Sequence, residues 1–233
     1  MAKNGKTNIR AFGVSVLLSR HPKVRKIKRL NAPSIHGNKN WASSWLLMDY
    51  FERRGVPKEA RVMDVGCGWG LPGIYCAKRH GARVTGVDID SHVFPYLRLH
   101  ADINKVEIAA LHKGFNELKR CHLKDVDVMI GTDICFWDTM VDPLKRLILR
   151  ALRSGVQLVV IADPGRPTFE KIGEYFVSKR KAKLDNKTPA THSRKTSQNL
   201  PLPSLSLNLR AFLSPVRAVK LFSYRYGRDG WFR

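Results

Sequence analysis

The chain has 233 residues, 43% of them hydrophobic, enough for one α/β domain with a buried core. Forty-two Lys and Arg against 19 Asp and Glu give a formal charge of +23. Four cysteines without framework or Cys-x-x-Cys spacing argue against a disulfide scaffold and a metal module, and no apolar run reaches the ~18 residues of a membrane span.

The charge is uneven. Residues 1–40 hold ten Lys/Arg and no acid, and residues 165–233 hold 15 basic residues and four acids. The middle is close to balanced, as in an ordinary globular domain. Basic flanks attract polyanions such as nucleic acid without fixing a fold. The expected organisation is a basic arm over residues 1–39, a catalytic domain over 40–183, and a linker with a closing hairpin or disordered basic tail over 184–233. Ala11 to Leu18 faintly resembles a signal core. It is short, runs into basic residues and lacks a small-residue cleavage site. A reducing, cytoplasmic setting is expected, with an organelle transit peptide left open by the acid-free start.

In chain order, residues up to Arg29 are too charged to bury and read as an arm lying over the surface. Trp41, Trp45, Met48 and Phe51 line one face of a helix over residues 40–54, stopped by Gly55 and Pro57. Strands and helices then alternate: strand Ala60–Val65, helix Leu71–His80, strand Ala82–Val87, helix Ser91–Asn104 with Ser91 as cap, and strand Val106–Leu111. After these come strand Val126–Ile130, helix Thr139–Leu152, strand Val156–Ala162 and helix Thr168–Lys181. Repeated β-α units with apolar, β-branched strands predict a mostly parallel sheet covered on both faces. Residues 184–204 read as a linker. Leu205–Leu213 and Val216–Tyr226 read as strands turning at Ser214-Pro215.

The chemistry centres on Asp64-Val65-Gly66-Cys67-Gly68-Trp69-Gly70-Leu71-Pro72-Gly73. A strand runs into a helix through a turn with almost no side chains, which lets backbone approach a ligand. The phosphate loop of nucleotide triphosphatases is excluded, because no Lys-Ser or Lys-Thr follows. A dinucleotide site through Gly68, Gly70 and Gly73 is disfavoured by Asp64, which repels a pyrophosphate, and by the bulky Trp69. An acid there suits a cationic ligand without phosphate, as S-adenosylmethionine is. Asp88, ending the next strand, suits ribose hydroxyls.

Val62 to Gly70 together with Val84-Thr85-Gly86-Val87-Asp88 resembles the class I S-adenosylmethionine-dependent methyltransferases. That resemblance implies a Rossmann-like three-layer sandwich with a mostly parallel seven-stranded sheet. Trp41-Ala42-Ser43-Ser44, Gly70-Leu71-Pro72-Gly73 and Thr132-Asp133-Ile134-Cys135-Phe136 resemble the seven-β-strand lysine methyltransferases. Asp163-Pro164-Gly165-Arg166 is similar to their branch near the electron-transfer-flavoprotein β-subunit lysine methyltransferase. The resemblance implies Asp133 and Phe136 as the residues of the amine pocket. It implies Trp41, Asp64, Gly66, Gly68, Gly70, Asp88, Phe115 and Thr132 as cofactor contacts; from the spacing of His and Cys, no metal is expected. An acid for the adenine amine is missing beside Phe115, so a backbone contact has to serve there.

A lysine must lose its proton before it attacks a methyl group, its reference pKa being about 10.4. Asp133 can orient the amine and relay that proton, with Phe136 and Trp137 as walls. Cys135 lacks the Pro-Cys context of RNA cytosine methyltransferases, and His36, His92 and His112 are not spaced as ligands. Two other functions stay open: an RNA methyltransferase using the basic flanks, and a non-catalytic domain that binds cofactor or partner.

Overall fold

The structure, a computed structural model, describes residues 7–33, 36–37, 39–180, 182–187 and 219–225. Its centre is a seven-stranded sheet. Five strands are parallel neighbours: β3 (Arg61–Val65), β4 (Arg83–Asp88), β5 (Ile108–His112), β6 (Val128–Thr132) and β7 (Leu158–Asp163). The sheet is closed by β8 (Lys183–Lys187) and β9 (Val219–Arg225), giving the order β5-β4-β3-β6-β7-β9-β8. Strand β9 runs antiparallel to both β7 and β8.

Side-chain alternation divides the core into two layers. Val62, Val84, Val128, Ile130, Leu158 and Val160 pack on one face beneath α2 (Ser43–Arg54), α3 (Leu71–His80) and α4 (Phe94–Asn104). Met63, Val65, Met129, Val159 and Ile161 face α6 (Asp138–Arg153) and α7 (Pro167–Arg180). In β6 and β7 nearly every residue is buried, because helices cover both faces and neither parity meets water. No helix among the described residues is long and apolar enough to cross a membrane.

Local chemistry sets the helix ends. Pro72 occupies the first turn of α3, and Gly81, in the left-handed region at φ 65°, ends it after Lys78, Arg79 and His80. Before α4 a 3-10 turn over Ser91–Val93 is capped by Asp90, whose carboxylate accepts from the His92 N–H at 3.0 Å. The expected cap, Ser91, is thus displaced by the acid before it. A short helix, α5 (Arg120–Leu123), carries too little periodicity to be read from sequence.

Two expectations change. Residues 8–30 do more than lie over the surface. Strands β1 (Asn8–Ala11) and β2 (Val14–Leu17) form an antiparallel hairpin, followed by α1 (Pro22–Leu30). The hairpin and α1 contribute Ile9, Val14, Val16, Leu17 and Val24 to the core, and they leave the charges outside. A helix with three apolar residues in nine suffices because its other side needs only water. At the other end, 184–187 belong to β8 rather than to a linker, and the anticipated strand at 216–226 is β9. The anticipated strand Leu205–Leu213 lies outside the described residues.

Candidate active site

The carboxyl ends of β3, β4 and β6 open into one cavity of about 180 Å³. It sits where strand order reverses on either side of β3, the place where open α/β sheets leave a crevice. Trp41, Gly66, Gly68, Gly70, Asp88, Phe115, Thr132, Asp133 and Phe136 all line it, so nine of the ten anticipated residues meet in one place.

Asp64 is the exception. It is buried and does not line the cavity. Its Oδ2 accepts the Gly73 N–H at 3.2 Å, so it ties the first turn of α3 to the strand behind the loop. Burial pushes its carboxyl up to about 8 against the pull of the Gly73 bond, and the Asp88 charge pushes the same way. The expectation that it contacts a ligand is corrected to support from behind, since β-strand alternation turns its side chain into the sheet–helix layer.

Glycines 66, 68 and 70 have φ of 64°, 51° and 73°, the left-handed region where L side chains are strained. A Cβ at Gly66 would come within 2.4 Å of Ile134, and one at Gly70 within 2.0 Å of Leu97. A Cβ at Gly68 would meet no atom of the described residues within 4 Å. The Gly68 N–H donates to Asp88 Oδ2 at 3.0 Å, and Asp90 N–H donates to Asp88 Oδ1 at 3.0 Å. Burial raises the Asp88 pKa and these two donors partly offset it. Trp69 leaves the turn toward α4, stacked on Tyr96 and His100, with its indole N–H donating to Gly37 O at 2.9 Å. Beside Phe115, the Gly114 N–H donates to Glu117 Oε2 at 2.7 Å.

The other end of the cavity is built from side chains. Asp133 follows β6 with φ 55°, rare for a non-glycine residue, and its N–H is fixed to Ala162 O at 3.0 Å. Its Oδ1 accepts from Arg166 at 3.0 Å, while Oδ2 is buried with no hydrogen-bond partner among the described residues. Burial raises the Asp133 pKa; Ser43 beside it and Arg166 work against that. The same Arg166 nitrogen donates to Asp163 Oδ2 at 2.6 Å, and Asp163 Oδ1 accepts the Gly165 and Arg166 N–H groups. The guanidinium also lies 4.0 Å from the Phe136 ring centroid. Phe136 stacks on His36 at 4.0 Å and meets Trp41 edge-on at 5.3 Å.

Arg166, Asp163, Lys39 and His36 were not foreseen at this site. Asp163, at the carboxyl end of a central parallel strand, carried a readable signal. His36, set aside with His92 and His112, carried none, since its place depends on how the chain returns from α1. Cys135 is fully buried and burial raises its thiol pKa, which suits packing and not nucleophilic attack.

Residues 62–155 match the model of a family described as a methyltransferase domain. Over 69 residues the chain is 36% identical to the ribosomal protein L11 methyltransferase of Acetivibrio thermocellus, covering 30% of this chain and 21% of that protein. The chain thus matches about a fifth of that relative's length. Among solved structures, ribosomal protein L11 methylase from Lactobacillus delbrueckii subsp. bulgaricus aligns with a TM-score of 0.51 at 21% identity, over 81% of this chain and 80% of that one. The tRNA (uracil-54, C5)-methyltransferase of Pyrococcus abyssi, solved with S-adenosyl-L-homocysteine, aligns with a TM-score of 0.52 at 18% identity, over 94% and 44%. Sheet order and glycine turn thus match the fold of these solved methyltransferases, and residues 62–155 match a methyltransferase domain.

Proposed function

We propose that the protein transfers a methyl group from S-adenosylmethionine to an amine, in particular a protein lysine side chain. The observation that carries this reading is Asp133, a cavity-lining carboxyl whose Oδ1 is held by Arg166 and whose buried Oδ2 has no partner within hydrogen-bond distance among the described residues, with Ser43 beside it. A buried carboxylate oxygen left unpaired is costly, and an N–H group entering the cavity would satisfy it.

The residues fit the cofactor. Gly66 and Gly68 bring backbone to the cavity floor. Asp88 is placed for ribose hydroxyls and Phe115 for an aromatic base. Burial raises the pKa values of Asp88 and Asp133 in the wall and of Asp64 behind it, and the positive charges of a sulfonium and an ammonium would favour their ionised forms. S-adenosylmethionine, when bound, supplies an electrophilic methyl on positively charged sulfur.

The chain's own residues do the rest. Arg166 occupies one oxygen of Asp133 and leaves the other for the amine. Asp133 orients the amine and passes its proton to solvent, while Phe136, Trp41 and His36 wall the approach and exclude water. Labelled cofactor, added with the protein to a cell extract, should leave label that protease releases and nuclease does not.

A second reading has its own observation. Lys23, Arg25, Lys26 and Arg29 are exposed on α1, and none of them forms an ion pair among the described residues. Nuclease-sensitive label, with binding that falls steeply as salt rises, would favour RNA as acceptor. Neither label nor cofactor binding would leave a non-catalytic domain.

A further inference from the structure

A lysine of the chain itself already sits at the amine end. Lys39 lines the cavity, and its Nζ lies 3.9 Å from the centroid of the Trp41 ring. Among the described residues it forms no ion pair, unlike Lys145 and Lys171, which reach Asp142 and Asp138. Its ammonium is held by an aromatic face, the arrangement that also retains methylated ammonium groups. Trp41 is fixed in turn, its indole N–H donating to His36 O at 3.0 Å and its ring meeting Phe136 edge-on. Phe136 and Asp133 both meet Arg166. Lys39 therefore shares one wall with the residues assigned to the acceptor amine.

We infer that Lys39 is a methylation site of the protein itself, modified in cis. The inference rests on the amine reading above and names one lysine for it. Attachment to the cavity rim replaces a bimolecular encounter with an intramolecular one, so no recognition of a separate protein is needed. The proton leaves Nζ for solvent by way of Asp133. The nitrogen lone pair then forms the N–C bond as the methyl carbon–sulfur bond breaks. The electron pair passes to sulfur and S-adenosylhomocysteine departs. Each further methyl consumes another S-adenosylmethionine, and the product keeps its positive charge over Trp41.

The test uses the purified full chain with methyl-labelled S-adenosylmethionine and no added substrate. Peptide mass spectrometry should find one or more added CH2 groups on Lys39, at a first-order rate that does not change with protein concentration. Lys39→Arg should lower self-labelling at least tenfold, while calorimetry with S-adenosylhomocysteine gives the wild-type affinity. Protein as isolated from cells should carry the same mark. An unmodified Lys39 beside labelled proteins in the extract would overturn the inference and leave the amine reading standing. A rate proportional to protein concentration would overturn the cis assignment. Intact cofactor binding with no labelled lysine anywhere would remove the amine reading itself.

Discussion

The two ends of the cavity are made differently. The end proposed for the cofactor is mostly backbone, with Gly66, Gly68 and Gly70 in one turn and Asp88 at the next strand end. The end proposed for the acceptor is mostly side chains from distant stretches: His36 and Trp41 before the sheet, Asp133 and Phe136 after β6, and Arg166 after β7. One end is fixed by strand geometry that a single motif specifies. The other depends on charges and rings that must find each other across the fold, which leaves it free to vary with substrate. Changes at the two ends should therefore separate binding of cofactor from chemistry.

The sharpest separation is expected from Asp133→Asn. It keeps the shape but loses the charge, so kcat should fall by about 10²–10⁴, the range for a lost acid–base group. Affinity for S-adenosylhomocysteine, measured by calorimetry, should stay within a factor of about two. Unchanged turnover would remove Asp133 from the chemistry and collapse the distinction between the ends.

At the opposite end, Gly70→Ala should damage the fold before it damages catalysis. The new Cβ adopts a left-handed φ of 73° and lands 2.0 Å from the Leu97 side chain. Strain of about 1–2 kcal/mol and overpacking of about 1–3 kcal/mol should lower the midpoint of thermal unfolding by several degrees. An unchanged midpoint would mean that the turn is more pliant than its φ values imply. Asp88→Ala should act on the ligand instead. Loss of hydrogen bonds to a charged group, worth about 1.5–3 kcal/mol, should weaken cofactor binding roughly 10- to 100-fold. Self-labelling at saturating cofactor should recover; failure to recover would place Asp88 in the chemistry as well.

How much could be read from residues follows the same division. The strand–turn–helix at 61–80 is contiguous, so its elements were legible from periodicity and glycines. Helix Leu71–His80 was anticipated to the residue. Asp64 was located in the right strand but given the wrong neighbour, because a motif does not say which face of the strand points to the ligand. Arg166 was visible as part of Asp163-Pro164-Gly165-Arg166, yet its bridge to Asp133 is a contact between residues 33 apart that no spacing rule contains. The N-terminal hairpin escaped because charge was weighed over the alternation of Ile9, Val14 and Val16, and the apolar side of α1 that meets the core is little more than Val24 and Ile27.

The gentlest test concerns Asp64, which serves the cofactor end without touching the cavity. Its folded-state pKa of about 8 lies above its unfolded value near 3.8. For an acid raised on folding, the native state holds the proton more tightly than the unfolded chain. Stability is then fully present below the unfolded value and is lost as pH rises toward 8. The slope for one such group is at most about 1.4 kcal/mol per pH unit. Asp88, Asp133 and Asp163 are shifted the same way and add to the trend. Cofactor-free protein should therefore unfold at a lower temperature at pH 8 than at pH 6. Asp64→Asn, whose amide oxygen can still accept the Gly73 N–H, should flatten that difference without altering the shape of the loop. If the variant keeps the wild-type slope, Asp64 is ionised in the fold, and the electrostatic support assigned to the backbone end of the cavity belongs to other groups.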